Sequence, residues 1–182
     1  FFSDKLEIIK AIKKKNNLLS KSLKTNILTE TFNNKILSKK TLINSVSLNS
    51  KDVKKNSVFF GVKGLKFDGN KFGIEAIKNN AILAITNKRF KNSRNIFNKN
   101  PLKKLNILSS VYRKSLESNN IAITGSAGKT SVKDLTGFCL NKLDKTYYSK
   151  NSFNNKYGVP LSIINSPQST KFSVLEVGMD KK

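Results

Sequence analysis

A two-part α/β fold is predicted by three observations. Short apolar runs alternate with helix-period segments, a glycine-rich loop lies between an apolar β-branched run and a patterned polar stretch, and the composition changes near Pro101. The first part, residues 1–100, reads as a small α/β domain. The second, residues 101–182, reads as the start of a larger parallel-sheet domain.

The opening "FFSDKLEIIKAIKKKNN" has the pattern of an amphipathic helix, with Leu6, Ile9 and Ile12 on one face and Ser3 as N-cap. It lacks the basic-then-apolar order of a signal peptide. Residues 42–86 alternate apolar runs with turn signals: "LINSVSLNS", "SVFFGVKG", "KFDGNKF", a helix-like "FGIEAIKNN" and a strand-like "AILAIT". Phe59, Phe60 and Phe72 fall in these runs and are expected in the core. The Lys- and Asn-rich stretch "NKRFKNSRNIFNKNP" has little periodicity, and Pro101 closes it.

From Lys103 to Ser118, Leu105, Leu108, Val111, Tyr112 and Leu116 recur at helical spacing. Ile121 to Thr124 reads as a buried strand, "GSAG" as a loop, and Thr130 to Asn141 as a helix. A short strand "TYYS", a helix start at "GVPLSIIN" and a strand "FSVLEVG" follow. Alternating strands and helices imply a parallel sheet covered on both faces. Three strands do not complete such a sheet, so the sequence reads as the N-terminal portion of a longer enzyme.

Composition excludes more than it assigns. With no histidine and Cys139 as the one cysteine, an internal disulfide, a multi-cysteine metal site and histidine-based nucleophilic schemes are unavailable. Cys139 itself is expected to be a small core residue. No apolar stretch is long enough to cross a membrane as a helix, so a cytoplasmic protein is expected. The net charge of +24, from 35 Lys+Arg against 11 Asp+Glu, invites a nucleic-acid reading. Yet Arg89, Arg94 and Arg113 are the only arginines, and lysine, asparagine, isoleucine and phenylalanine are what A/T-rich codons encode. Bidentate phosphate and base contacts favour arginine, so no specific nucleic-acid partner is expected. Residues 1–120 nevertheless hold 26 of the Lys+Arg against 7 acids, which suits an anionic ligand of the first part.

The glycine loop carries chemistry. Gly125 and Gly128 have no side chain to obstruct an anion, so the loop amides of Gly125, Ser126, Ala127 and Gly128 and the helix start at Lys129, Thr130 and Ser131 can cradle phosphates. Lys129 would reach the β/γ-phosphates of ATP, and the Thr130 hydroxyl would ligate Mg²⁺. The spacing is a shortened G-x-x-G-K-T form, because Ile123 stands where the longer motif has its first glycine. Glu176, ending an apolar strand, is expected at the carboxyl edge of the sheet as the second Mg²⁺ ligand.

"TGSAGKTSVK", "SFNNKYGVPLSII" and "VLEVGM" together resemble the Mur ligases of bacterial cell-wall synthesis, which have this shortened loop. Lys133 and the Asn154-Asn155…Gly158-Val159-Pro160 element resemble the branch that adds D-alanyl-D-alanine to UDP-N-acetylmuramoyl-tripeptide. Upstream, "NSKDVKKNSVFFGVKGLKFDGNKF" is similar to the family's uridine-nucleotide-binding domain, so the resemblance covers about residues 46–180.

The resemblance implies an ATP-dependent ligase in which an acyl phosphate made from ATP is attacked by the amine of D-alanyl-D-alanine. It places substrate contacts at Ser50, Lys51, Asp68, Gly69, Asn154 and Asn155, with Lys129 as the catalytic lysine. It also implies a monomer. Departures fall on individual contacts: the family's Asp-Ser-Arg reads Asn49-Ser50-Lys51, its Gly-Asp reads Asn56-Ser57, and the histidine often following Asp-Gly is Asn70. In the family, a carbamylated lysine, the base-binding residues and the amine-substrate domain come later in sequence. Another amino-acid-adding ligase of the family, a nucleic-acid-stimulated ATPase and a non-catalytic UDP-sugar-binding remnant are the alternatives.

Overall fold

The computed structural model describes residues 23–32, 42–64, 67–149 and 153–178. The candidate N-terminal helix with Leu6, Ile9 and Ile12 lies outside the described residues. Packing divides the chain into two compact units, Phe1–Tyr112 and Arg113–Lys182.

The first unit is built on a parallel sheet in the order β1-β2-β3-β4: β1 Ser45–Ser47, β2 Ser57–Phe60, β3 Ala81–Thr86 and β4 Asn95–Phe97. Register pairs Val46 with Val58, Phe59 with Ala84 and Ile85 with Ile96. Successive strand residues point to opposite faces, and β2 is buried on both. Phe59 packs with Ala76 and Ile77 of the short helix α2 (Gly73–Lys78) and with Ala81 and Ala84. The ring of Phe60 lies 6.3 Å from that of Phe32, which ends helix α1 (Leu23–Phe32).

Two elements were not legible in the apolar pattern. Helix α1 is one; β4 is the other, set in the stretch of little periodicity because it is a three-residue edge strand whose residues stay partly exposed. Phe59 and Phe60 are fully buried as expected, but Phe72 is 37% exposed. It closes a 3-10 turn over Gly69–Phe72 and precedes α2, so its backbone serves the turn while its ring stays at the surface.

Helix α3 runs from Pro101 to Ser115 and buries Leu105, Leu108, Val111 and Tyr112 at the expected spacing. Pro101 opens the helix, a position where its missing N–H costs nothing. The division between the units falls inside α3.

The second unit carries a parallel sheet in the order β5-β7-β6: β5 Asn119–Ile123, β6 Thr146–Tyr148 and β7 Phe172–Glu176. β7 is central and buried from Ser173 to Glu176. Helices α4 (Lys129–Leu140) and α5 (Gly158–Asn165) complete the unit. The α4 residues Lys133 and Gly137, one turn apart, face inward. That register turns Cys139 outward: it is exposed, not a core residue, because it shares its side of the helix with Leu135 and Phe138, which are also exposed. Among the described residues no helix is long and apolar enough to cross a membrane.

Candidate active site

The register of the second sheet assembles the site. Ile123, the last residue of β5, lies opposite Glu176, the last residue of β7, and Val177 N–H donates to the Ile123 carbonyl at 2.8 Å. Both strands therefore end at one edge of the sheet, and the loop leaving β5 passes beside Glu176. Ligands of open α/β sheets bind at this carboxyl edge.

The loop needs its glycines. Gly125 has φ 152° and Gly128 has φ 74°, a region that side chains disfavour. Gly128 is the N-cap of α4 and no side chain caps the helix there, which leaves its positive end open to an anion. Lys129 folds back over the loop, its Nζ donating to the Gly125 carbonyl at 2.7 Å and the Ser126 carbonyl at 3.4 Å. The ammonium thus already lies above the loop, on weak neutral acceptors that a phosphate would displace.

Thr130 and Glu176, 46 residues apart in sequence, meet: the Thr130 hydroxyl donates to Glu176 Oε2 at 2.9 Å. The Asn154 side-chain amide donates to Glu176 Oε1 at 2.8 Å. Glu176 is only 2% exposed, and both of these partners are uncharged. A buried carboxylate is costly unless a charge or several hydrogen bonds compensate it, and a cation is the group this arrangement suits.

The donor chemistry fits magnesium. Among the described residues no cluster of three or more His, Cys, Asp or Glu could hold a metal. The protein donors here would be one hydroxyl and one carboxylate, both hard oxygens, leaving the remaining positions to water and phosphate oxygens. Magnesium retains waters and is bound through one or two carboxylates in this way.

The neighbouring asparagines divide their work. Asn155 Oδ1 accepts from the N–H groups of Tyr157 at 3.0 Å and Gly158 at 2.9 Å, and so caps the start of α5. Asn154 holds Glu176, and its own carbonyl accepts from Gly178 N–H at 2.6 Å. A Cβ on Gly178 would sit 2.8 Å from that carbonyl oxygen, so a glycine is required at this approach. Gly178 was not singled out in the sequence; the "VGM" ending of the strand motif was its only signal.

In the first unit, Ser50-Lys51 and Asp68-Gly69 follow the carboxyl ends of β1 and β2, on the edge where ligands of such sheets bind. Ser50 is 6% exposed; its hydroxyl donates to Glu75 Oε1 at 3.0 Å and its carbonyl accepts from Asn79 Nδ2 at 2.9 Å. Lys51 is exposed in the same turn. Asp68 Oδ1 accepts from Asn70 N–H at 3.1 Å and Asn70 Nδ2 at 2.7 Å, and the Asn70 side-chain bond chiefly holds the Asp68 carboxyl below its ordinary pKa. Asn70 in turn is buried and accepts from Asn87 N–H at 2.7 Å, joining the ends of β2 and β3. Gly69 N–H donates to the Val62 carbonyl at 2.9 Å. These residues share a sheet edge: Ser50 is engaged with α2 and the residue that follows it, and Asp68 within its own turn.

The fold and the loop define an α/β unit of the P-loop type, and residues 123–182 match the Mur ligase middle domain. The chain is 33% identical over 141 residues to the UDP-N-acetylmuramoyl-tripeptide--D-alanyl-D-alanine ligase of Buchnera aphidicola, covering 77% of this chain and 31% of that protein. It is 29% identical over 146 residues to the ligase of the same name from Bacillus subtilis, covering 78% of this chain and 32% of that protein. Among solved structures, MurF ligase from Thermotoga maritima in complex with ADP superposes with a TM-score of 0.66 at 31% identity, covering 78% of this chain and 33% of that one. The chain therefore spans about a third of the length of the curated relatives it matches.

Proposed function

We propose that this chain supplies the nucleotide-binding and UDP-sugar-binding parts of an ATP-dependent ligase that joins D-alanyl-D-alanine to UDP-N-acetylmuramoyl-tripeptide in peptidoglycan precursor synthesis. The observation that carries the reading is the meeting of Thr130, Glu176 and Asn154 beside an open glycine loop. The match to an amino-acid-adding relative, a 2,6-diaminopimelate ligase of Prochlorococcus marinus, covers 57% of this chain, less than the matches to the D-alanyl-D-alanine ligases. That difference favours the D-alanyl-D-alanine branch.

ATP, when bound, supplies the phosphoryl group that converts the tripeptide carboxylate to an acyl phosphate for attack by the D-alanyl-D-alanine amine. The chain's residues position and neutralise charge, which is most of what phosphoryl transfer asks of a protein. The loop amides of residues 125–128 and the start of α4 at Lys129, Thr130 and Ser131 receive the phosphates. Lys129 is the catalytic lysine in this reading: its ammonium leaves the Gly125 and Ser126 carbonyls for the β/γ-phosphates. Thr130 and Glu176 hold Mg²⁺, and Asn154 keeps the Glu176 carboxylate aimed. Ser50, Lys51, Asp68 and Gly69 line the edge assigned to the UDP-sugar. Asn155 shapes the turn that brings Asn154 to the site. A monomeric, cytoplasmic protein accompanies this reading, with no specific nucleic-acid partner.

Titration decides. The chain should bind Mg·ATP and a UDP-muramoyl tripeptide saturably, with affinities that change little between about 50 and 200 mM salt, and should show no ligation by itself. Over that range a ligand held by several phosphate contacts alone would lose on the order of a thousandfold. DNA held tightly at the higher salt, with no binding of either nucleotide, would replace the ligase reading with the polyanion one.

A further inference from the structure

We propose that the cleft between the end of β4 and the first turn of α3 binds a small oligophosphate, a ligand of two or more linked phosphoryl groups, through Lys99, Lys103, Lys104 and the side-chain amides of Asn98 and Asn100. The site lies within the first unit, apart from the turns assigned to the UDP-sugar.

The positive charge of the first unit is concentrated here. Residues 87–104, which include the edge strand β4, hold seven Lys and Arg and no Asp or Glu. Three of those lysines, Lys99, Lys103 and Lys104, line a cleft of about 610 Å³ together with Phe97, Asn98 and Asn100. That is the size of a small-molecule site. The guanidinium of Arg89 lies 4.3 Å over the centre of the Phe97 ring, which brings a fourth cation to the wall.

The polar side chains of the lining offer donors. Asn98 Oδ1 accepts from Asn100 N–H at 3.0 Å and Asn100 Oδ1 accepts from Lys103 N–H at 2.9 Å, so each asparagine commits its side-chain oxygen to the turn that starts α3. Their Nδ2 groups remain as donors. Because Asn100 already caps the helix, the anion is held by side chains and not by the helix end. Lys104 adds an independent observation. It is half-buried, its ammonium lies 5.6 Å from the centre of the Phe32 ring, and burial by itself holds its pKa below the ordinary lysine value, with no carboxylate of the described residues offsetting it. A cation so desolvated is costly, and an anion in the cleft compensates it. Ammonium groups act as point charges without the planar geometry that a carboxylate matches, so several of them together suit the many oxygens of linked phosphoryl groups.

Tripolyphosphate titrated calorimetrically into the 182-residue chain tests this, in a Lys129→Ala background so that the glycine loop of the second unit does not answer for the cleft. Saturable binding should remain. Lys99→Gln and Lys103→Gln together should weaken it at least about tenfold, because two charge-assisted donors are lost. Lys54→Gln and Lys78→Gln together remove the same charge from residues that precede β2 and β3, at the opposite edge of the sheet, and should change the affinity by less than about twofold. All four lysines are exposed, so neither pair disturbs the core. Equal losses for the two pairs, or no saturation at all, would show unshaped attraction to a basic surface and overturn the proposal. UTP in the same background separates two sources of the ligand. A loss on the Lys99 and Lys103 change equal to that of tripolyphosphate assigns the cleft to phosphates of either origin, and UTP binding that ignores the change assigns it to free oligophosphate. A single-stranded thymidine oligonucleotide that displaces tripolyphosphate and stays bound at about 200 mM salt would make the cleft a nucleic-acid surface and overturn the proposal too.

Discussion

The two units both carry motif residues at the carboxyl edge of a parallel sheet, but they use them differently. In the first, Ser50 spends its hydroxyl on Glu75 of α2 and Asp68 spends its carboxylate on Asn70, so these motif residues spend their polar groups on packing a helix and closing a turn. In the second, Thr130 and Asn154 converge from distant segments on one buried carboxylate, beside a helix end that no side chain caps. The contrast teaches that a motif residue becomes a candidate for chemistry through what its neighbours leave unsatisfied. Among the described residues the buried Glu176 carboxylate is bonded by neutral partners, Thr130 and Asn154, whereas Asp68 is satisfied locally and sits near solvent.

The largest effect should come from Lys129→Ala. Removing a charged phosphate donor costs a few kcal/mol, so Mg·ATP affinity should fall at least about tenfold, and ligation by the extended enzyme by about a hundredfold or more. Calorimetric titration reads the first; affinity equal to wild type would dissolve the contrast, since the open loop would then do nothing that the closed turns do not. Glu176→Gln comes next. It keeps the size but replaces one accepting oxygen by an NH₂ group and removes the anionic charge, so the Mg²⁺ concentration needed for half-maximal nucleotide binding should rise about tenfold while Mg²⁺-free binding holds. An unmoved Mg²⁺ midpoint would take Glu176 out of the site.

Two glycine substitutions of smaller effect probe whether both edges are equally tight. A Cβ on Gly137 would lie 2.5 Å from the Tyr148 ring, and one on Gly69 would lie 2.7 Å from the Val62 carbonyl oxygen. Each alanine variant should lose about 1–3 kcal/mol in denaturant unfolding, the usual cost of overpacking. Gly137→Ala should also weaken nucleotide binding, because it pushes α4 away from β6; Gly69→Ala should not. Equal nucleotide affinities in the two variants would refute the separation of roles.

The smallest effect concerns pH. The Asp68 carboxyl is held low, chiefly by the Asn70 side chain, so its folded-state pKa lies below the unfolded value. The sign follows: its contribution is complete above the unfolded pKa of about 4 and is lost as pH falls through the folded one. Asp68→Asn should therefore flatten the acid limb of a stability-against-pH curve, by under about 1 kcal/mol because solvent screens the group. An acid limb identical in both proteins would show that Asp68 does not contribute.

The alternation of strands and helices, the glycine loop and the terminal position of Glu176 on an apolar run were all legible in the residues, because each is a local signal of period, turn chemistry or element end. β4 was not, since three half-exposed residues at an edge carry no period. The exposure of Cys139 and Phe72 was equally illegible. A residue's place in an apolar run says nothing about which side of the helix or turn meets the core.

From the sequence alone came the α/β class, the glycine loop and the choice of Lys129, Thr130 and Glu176 as candidates, because the conformational demands of glycine and the charge of a side chain belong to the residue itself. What only the tertiary structure decided was partnership. The pairing of β5 with β7 sets Glu176 opposite Ile123 and within reach of Thr130, and the approach of Gly178 to Asn154 turns that asparagine onto the carboxylate. Lys133 shows the same division: its charge is written in the chain, but its burial against the Ser149 carbonyl exists only once α4 lies along β6. Such pairings join residues far apart in sequence, and no local spacing encodes them, because they depend on which strands lie side by side and in what register.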